Sequence, residues 1–559
     1  MSEASPLAPL NSESRLDQIF PTLNSEQIAR ISAHGTKRQI EPGEVVYEPG
    51  TEDAPFLVVV AGQLQLVRPS ETGDTLITAL VPGQFTGEAN MLAGHRPTVR
   101  VLATQATEVL QLTRAQLLAL VQTDAELGEI LMRAFILRRA ELIARGFGDA
   151  VLVGSLHSSG AVRIKEFLTR NGHPYAFVDL DRDPDVQEWL DRFGVAVEDV
   201  PVVICRGDIV LRNPTNEQIA ECLGLNEAID QTRVRDVMVV GAGPAGLAAA
   251  VYGASEGLDV LVLDSHAPGG QAGSSSRIEN YLGFPTGISG QELASRAYVQ
   301  AQKFGAEIMI AKTATQLTCS RQRYAVRIDD GPSVSARTVI IATGADYRQP
   351  ALANLAQFEG AGVYHGATFV ESQLCSREEV IVVGGGNAAG QAAVFLARTA
   401  SRVHMLIRSE GLAATMSRYL IRRIEESPAI VLHSHVDLIA LEGDAHLERV
   451  QWRNNITGVV EARDIRHVFF MIGAVPNTRW LEGCVALDSK GFVKTGPDVS
   501  QADLVAAHWP LTRAPFVLET SLPGVFAVGD VRSSSMKRVA SAVGEGASAV
   551  ALVHQVLQQ

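Results

Sequence analysis

Two glycine-rich turns are the places in this 559-residue chain where residue type and spacing point to chemistry. The first reads Gly241-Ala242-Gly243-Pro244-Ala245-Gly246; it follows the apolar run VMVV and precedes the alanine-rich LAAAVYGAS and then LDVLVLD, which ends at Asp264. Strand, Gly-x-Gly-x-x-Gly, helix, strand and a terminal acid is the order that a dinucleotide cradle requires. Gly241 permits the tight turn, Gly243 lets backbone N–H groups reach a pyrophosphate at the helix N-terminus, Gly246 lets helix and strand approach, and Asp264 can accept hydrogen bonds from ribose hydroxyls. The second turn follows EVIVV as Gly384-Gly385-Gly386-Asn387-Ala388-Ala389 and leads through GQAAVFLARTA to RVHMLIRS. Its strand ends in Arg408-Ser409, and an arginine there pairs with a 2′-phosphate, which favours NADPH, with NADH as the alternative. Two cradles in one chain imply a tightly held redox carrier and an exchangeable hydride donor.

Other reactive residue types are spaced less usefully. Cys205, Cys222, Cys319, Cys375 and Cys484 form no Cys-x-x-Cys, so neither a disulfide framework nor a zinc site is expected, and no metal is assigned. Unpaired cysteines and the absence of a basic-then-apolar start fit the cytoplasm. His365, His467 and Cys375 read first as packing residues; His365 and Cys375 are kept as weak catalytic candidates.

The elements that must position these groups divide the chain into a multidomain protein: residues 13–146, 147–228, 234–348 with 482–559, and 350–480. The first is a run of short β segments ending in a long helix from Arg114, with Leu127, Ile130, Leu131, Ala134, Phe135 and Leu137 on its apolar face. The second alternates strand and helix, AVLVGSL, GAVRIKEFLTRNG, PYAFVDLD, DVQEWLDRFGV and VPVVICRGDIVLRN, as a compact α/β unit. The last two are Rossmann-like. A formal charge of −14 argues against nucleic acid as a partner. The uncharged stretch Val237–Ser255 is a strand, turn and helix, not a membrane span.

Residues 234–559 resemble the thioredoxin-reductase branch of the flavin-dependent pyridine nucleotide-disulfide oxidoreductases. The resemblance rests on Gly269-Gly270-Gln271, Ile278-Glu279-Asn280-Tyr281, Ala342-Thr343-Gly344 and GVFAVGD with Gly529-Asp530. It implies FAD at the first cradle, with Gly270, Gln271 and Asn280 near the flavin and Asp530 on the ribityl chain. NADPH would bind at Gly384, Gly386, Asn387, Ala388, Arg408 and Ser409, in a module inserted into the FAD module. Hinges are expected near Ala345–Leu352 and Asn477–Glu482, and a homodimer is implied. The departures matter as much. Where the family carries Cys-Ala-Thr-Cys, this chain reads Gly366-Ala367-Thr368-Phe369. Lys537-Arg538-Val539 replaces Arg-Gln-Ala, and Ser409 and Ala413 replace two arginines.

The N-terminal segment resembles the cyclic nucleotide-binding domain of bacterial catabolite-activator regulators, through Gly43, Gly50, Gly62, Gly83 and Gly87-Glu88. That family holds ribose with the glutamate and phosphate with an arginine. Glu88 matches, but Pro97 stands at the arginine's place, with Arg96 one residue early and Arg100 three late, so Gly87, Glu88 and Arg96 are the candidate ligands of a domain that either binds a cyclic nucleotide or serves as a docking surface. No helix-turn-helix follows. The middle unit resembles a thioredoxin or glutaredoxin fold with Val200-Pro201 at its cis-proline position; His157 and Ser158 lie where the redox cysteines would be, which points to an adaptor role.

These readings combine into an FAD-dependent NAD(P)H oxidoreductase that passes electrons to an external acceptor, such as a thioredoxin-like or ferredoxin-like protein, under regulation by the N-terminal domain. Two alternatives stay open: a disulfide reductase working through partner thiols or Cys375, and a non-catalytic, nucleotide-sensing flavoprotein.

Overall fold

β-Branched runs separated by glycine turns build the strands, and alanine-rich runs build the helices laid over them. The computed structural model describes residues 17–559 apart from 70–73, 89–90, 93–95, 145–149, 156–157, 181–198, 206–208, 276, 320–322, 330, 332, 368 and 445.

The N-terminal segment forms two facing sheets. One pairs Thr36–Ile40, Thr107–Leu112 and Phe56–Ala61; the other pairs Val45–Tyr47, Arg100–Ala103, Leu64–Arg68 and Thr75–Leu80. The long helix expected from Arg114 is broken. Arg114–Thr123 stops where Asp124 turns extended, and Ala125–Ala144 starts anew with the Asp124 carboxylate accepting from the N–H of Leu127. A short polar residue that caps the next helix with its side chain offers the backbone a way out of the previous one.

The middle unit is a four-stranded sheet in the order Ile209–Arg212, Val202–Cys205, Ala150–Gly154, Tyr175–Asp179. VPVVICRGDIVLRN, read as one strand, is instead two strands, Val202–Cys205 and Ile209–Arg212, paired antiparallel with Val202 opposite Arg212. The Val200-Pro201 bond is cis. The helix expected at DVQEWLDRFGV and the candidate His157 lie outside the described residues.

The first cradle belongs to a seven-stranded sheet ordered Glu307–Ile310, Val260–Asp264, Arg235–Val240, Ser333–Ile341, Tyr324–Ile328, Ala314–Thr318, with Val525–Ala527 pairing onto Ser333–Ile341. The second belongs to a five-stranded parallel sheet ordered Val363–Tyr364, His467–Phe470, Glu379–Val383, Arg402–Ile407, Ile430–Ser434. Both sheets are parallel at the cradle and buried on both faces, which is why their strands are continuous apolar runs. Between them the chain crosses twice, as Ala345–Tyr347 and Ala474–Pro476, and the two crossings pair antiparallel. The first expected hinge contains its crossing strand; the second crossing lies just ahead of the expected Asn477–Glu482.

The cysteine reading needs correction. Cys319 and Cys484, 165 residues apart, are joined as a disulfide with Cα atoms 5.8 Å apart; Cys205, Cys222 and Cys375 are free. Sequence spacing hides this pair because the whole second nucleotide unit is inserted between its members. Among the described residues no helix is long and apolar enough to cross a membrane.

Candidate functional site

The first cradle is built from backbone in the absence of side chains. Gly241 has φ +106°, and a Cβ on it would lie 2.3 Å from the carbonyl oxygen of Ala342. A Cβ on Gly246 would lie 1.8 Å from the Gly241 carbonyl oxygen, so only glycine lets this helix seat against the strand. The helix Pro244–Ser255 begins here with Gly243 as N-cap and Pro244 in its first turn, and no side chain caps it. Its free N–H groups are therefore open to an anion. Gly270, at φ +51°, comes against Gly243, where a Cβ would sit 3.1 Å from that Cα. Gly529 closes the other side, its φ +72° turn lying against Ala245. Residues far apart in sequence thus meet around one volume without side chains, the shape a pyrophosphate needs.

Asp264 ends its strand as expected, but its carboxylate is already engaged: it accepts from the N–H of Ala242 at 2.7 Å and of His266 and Ala267 at 2.9 Å. These bonds fix the turn and leave the remaining lone pairs for a ribose. Gln271 donates from its amide to the Ala345 carbonyl, tying the flavin-side turn to the first crossing strand. Thr343 donates to the Asn477 carbonyl at 2.8 Å, and Asn477 returns a bond to the Thr343 carbonyl at 3.1 Å, so the Ala342-Thr343-Gly344 segment is locked to the second crossing. Asn280 is exposed beside Glu279, which pairs with Arg423 of the second unit.

Asp530 is held above the usual carboxylate range, chiefly by burial, against the pull of Lys537. Its turn is fixed from behind by Glu545 on the helix Val539–Leu557, which accepts from the Gly529 N–H at 2.7 Å and pairs with Arg532 at 2.6 Å. Sequence reasoning missed Glu545. Its signal was present as the lone acid in an apolar, alanine-rich helix.

The second cradle repeats the first with one difference. Gly384 has φ +141° and faces the carbonyl of Met471, while Ala389, fully buried, replaces the last glycine and its Cβ is accommodated. The helix Asn387–Leu396 starts at Gly386 with no side-chain cap, and Ala388 is exposed. Asn387 accepts from the Ser417 N–H at 2.7 Å, and Thr415 donates to the Gly385 carbonyl at 2.7 Å, so the loop after Arg408 folds back over the turn. The Arg408 side chain is 74% exposed with only a 3.9 Å approach to Asp437, which leaves it available to a phosphate. The Ser409 hydroxyl donates to the Gly411 carbonyl at 3.0 Å.

The weak catalytic candidates sit apart from this machinery. Cys375 is fully buried, and burial pushes its thiol up to about 12, so almost none is thiolate at neutral pH. His365 contacts Glu359 at 3.3 Å, and His467 approaches Glu378 at 3.2 Å and Tyr364 at 3.4 Å. An unforeseen pair lies in the second sheet: His404 Nδ1 and His433 Nε2 are 3.0 Å apart, with His404 Nε2 3.2 Å from Glu379, and burial lowers the pKa of both.

In the barrel, Glu88 lies 3.6 Å from Arg139. Arg96 pairs with Glu52 and rests against Gly224 of the middle unit. The candidate ribose and phosphate ligands therefore do not converge.

Residues 235–546, more than half of the chain, match the family model for pyridine nucleotide-disulphide oxidoreductases, and residues 37–124 match that for the cyclic nucleotide-binding domain. The chain is 34% identical to a thioredoxin reductase of Treponema pallidum (strain Nichols) over 315 residues, covering 56% of this chain and 94% of that protein. It is 28% identical to the thioredoxin reductase of Bacillus subtilis (strain 168) over 331 residues, 59% and 97% of the two chains. The structure of Lactococcus lactis thioredoxin reductase in its FR conformation superposes with a TM-score of 0.52 at 26% identity, covering 58% of this chain and all of that one.

Proposed function

Because the chain belongs to the pyridine nucleotide-disulphide oxidoreductase family, we propose that it is an FAD-dependent enzyme of the thioredoxin-reductase type that oxidises NADPH and delivers the electrons to an acceptor outside the chain. The observation that carries this reading is the pair of glycine-turn cradles, each opening a helix with no side-chain cap, joined by the paired crossings Ala345–Tyr347 and Ala474–Pro476. Bound FAD supplies a carrier that takes two electrons from the nicotinamide and passes them on. The protein's part is binding, orientation and exclusion of water. The free N–H groups at the N-terminus of Pro244–Ser255 take the FAD pyrophosphate, Gly270 and Gly529 keep the walls close, and Asp530 is the ribityl ligand, positioned by Glu545. Arg408 takes the 2′-phosphate of NADPH.

The acceptor lies outside the chain because the family's thiol pair is missing. Gly366-Ala367-Thr368-Phe369 holds no sulfur, and the buried Cys375 is a poor nucleophile at neutral pH. A thioredoxin-like or ferredoxin-like protein fits this role. In the same reading the middle unit is a thioredoxin-like adaptor without redox cysteines, the barrel is regulatory, and the enzyme is a cytoplasmic homodimer.

Anaerobic mixing of the purified flavoprotein with NADPH tests the reading. Bleaching of the flavin absorbance, faster with NADPH than with NADH, is the expected result; a flavin that stays oxidised overturns it.

A further inference from the structure

The N-terminal barrel encloses a cavity of about 210 Å³ between the strands around Leu66, Ile77 and Val99, the Gly87-Glu88 turn and the helix Ala125–Ala144. Ile19, Phe20, Leu66, Ile77, Val99 and Leu142 give it a largely apolar wall. Two arginines line it. Arg114 is spent, donating to the Leu92 carbonyl at 2.9 Å and pairing with Glu227 of the connection to the nucleotide-binding half.

Arg138 is a different case. It is 6% exposed, its Nε donates to the Ile19 carbonyl at 2.8 Å, and one Nη donates to the carbonyls of Phe85 and Gly87 at 3.0 and 2.8 Å. The other Nη has no hydrogen-bond partner. The rings of Phe20 and Phe85 flank the guanidinium at 4.8 and 4.6 Å. Among the described residues it makes no ion pair, and burial pushes its pKa down to about 9. A buried cation without a counter-charge is costly, and a carboxylate is the group that best matches its planar donors.

The same wall is poorly made for a cyclic nucleotide. Pro97 lines the cavity where the related domains carry their phosphate-binding arginine. Arg96 is turned to Glu52 and Gly224, and Arg100 is held by Glu48 at 2.8 Å and Asp74 at 2.7 Å. At Pro97 a ribose phosphate would face aliphatic carbon, whereas an anion at the Arg138 end of the cavity meets a cation; Asp53, Glu88 and Glu141, which also line the cavity, leave that end as the place for a negative charge.

We propose that this cavity binds a compact apolar acid, a hydrocarbon or aromatic body carrying one carboxylate, with the carboxylate on Arg138 and the body against the apolar wall, in place of a cyclic nucleotide. Arg138 and its neighbour Arg139 both lie on Ala125–Ala144 and both hold the Gly87-Glu88 turn, so this helix is the element that senses occupancy.

Calorimetry on the full-length flavoprotein tests the assignment, with 3-phenylpropionate and octanoate as probes against their neutral amides, cyclic AMP and cyclic GMP. The acids are expected to bind about tenfold more tightly than the amides, the worth of one charge-assisted hydrogen bond, and Arg138→Gln is expected to remove that preference. Should Arg138→Gln misfold, Ile77→Trp fills the cavity without touching the cation, and it is expected to abolish acid binding while the flavin spectrum is unchanged. Tighter binding of either cyclic nucleotide, equal binding of acid and amide, no acid binding at all, or acid binding that survives Ile77→Trp each overturns the proposal.

Discussion

In the proposed reading Arg408 carries the choice between the two nicotinamide donors almost alone, since Ser409 and Ala413 bring no further positive charge to its loop. Being 74% exposed, it has little packing role, so Arg408→Ala is expected to raise the KM for NADPH about tenfold, ~1.4 kcal/mol, and to leave that for NADH nearly unchanged. Equal effects on both donors would place the 2′-phosphate elsewhere. His404 and His433 matter for stability instead. Burial depresses both, so each is neutral when folded, and unfolding at low pH lets them take up protons. Their contribution is complete above the unfolded value of about 6.5 and is lost as pH falls through their lower folded values. Thermal melts should therefore drop below about pH 6.5, and His433→Gln, which keeps a donor and an acceptor, should flatten that slope; an unchanged slope would mean that other groups set it.

Elements that are local in sequence were legible, and elements that close over distance were not. The strand, glycine turn and helix of each cradle lie within about thirty consecutive residues and are legible in glycine spacing and apolar runs, whereas the walls that Gly270, Ala342 and Gly529 add to the first come from far along the chain. The break at Asp124 turns on a single residue whose capping preference competes with a periodic pattern, and the pairing of Val202–Cys205 with Ile209–Arg212 splits a run whose apolar residues look continuous. Glu545 was hidden because its partners, Gly529 and Arg532, lie across a turn from its own helix. The Cys319–Cys484 link was hidden for a stronger reason: it ties the two halves of the first nucleotide unit across the whole inserted second unit. Closing so long a loop stabilises the unit by about 5 kcal/mol by restricting the unfolded chain. Denatured, unreduced protein should therefore show three reactive thiols, those of Cys205, Cys222 and Cys375, and five after reduction, with a lower melting temperature for the reduced form. Five thiols before reduction would remove the link.

On the scale of the whole molecule, the barrel and the middle unit both meet one helix of the first nucleotide unit, Gly290–Lys303. Gln122 of the barrel side donates to the Lys303 carbonyl at 2.8 Å, and Gln291 donates to the Thr169 carbonyl of the middle unit at 2.6 Å. The middle unit also reaches the cradle itself, with Arg170 donating to the Gly270 carbonyl at 2.9 Å. Tyr298, at the centre of this helix, packs against the apolar cores of all three units. A side chain shared by three cores couples their unfolding, because loss of any one core strips contacts from the others. Tyr298→Ala is expected to cost about 3 kcal/mol and, more tellingly, to separate the transitions. Flavin release should then no longer coincide with the loss of far-ultraviolet circular dichroism, and the N-terminal half should melt first because it loses its anchor while the first nucleotide unit keeps the packing of Val539–Leu557 on Pro244–Ser255. A variant that is merely less stable, with both probes still superimposed, would show that the coupling runs through Arg114–Glu227 and Lys312–Glu217 instead, the ion pairs that also bridge these units.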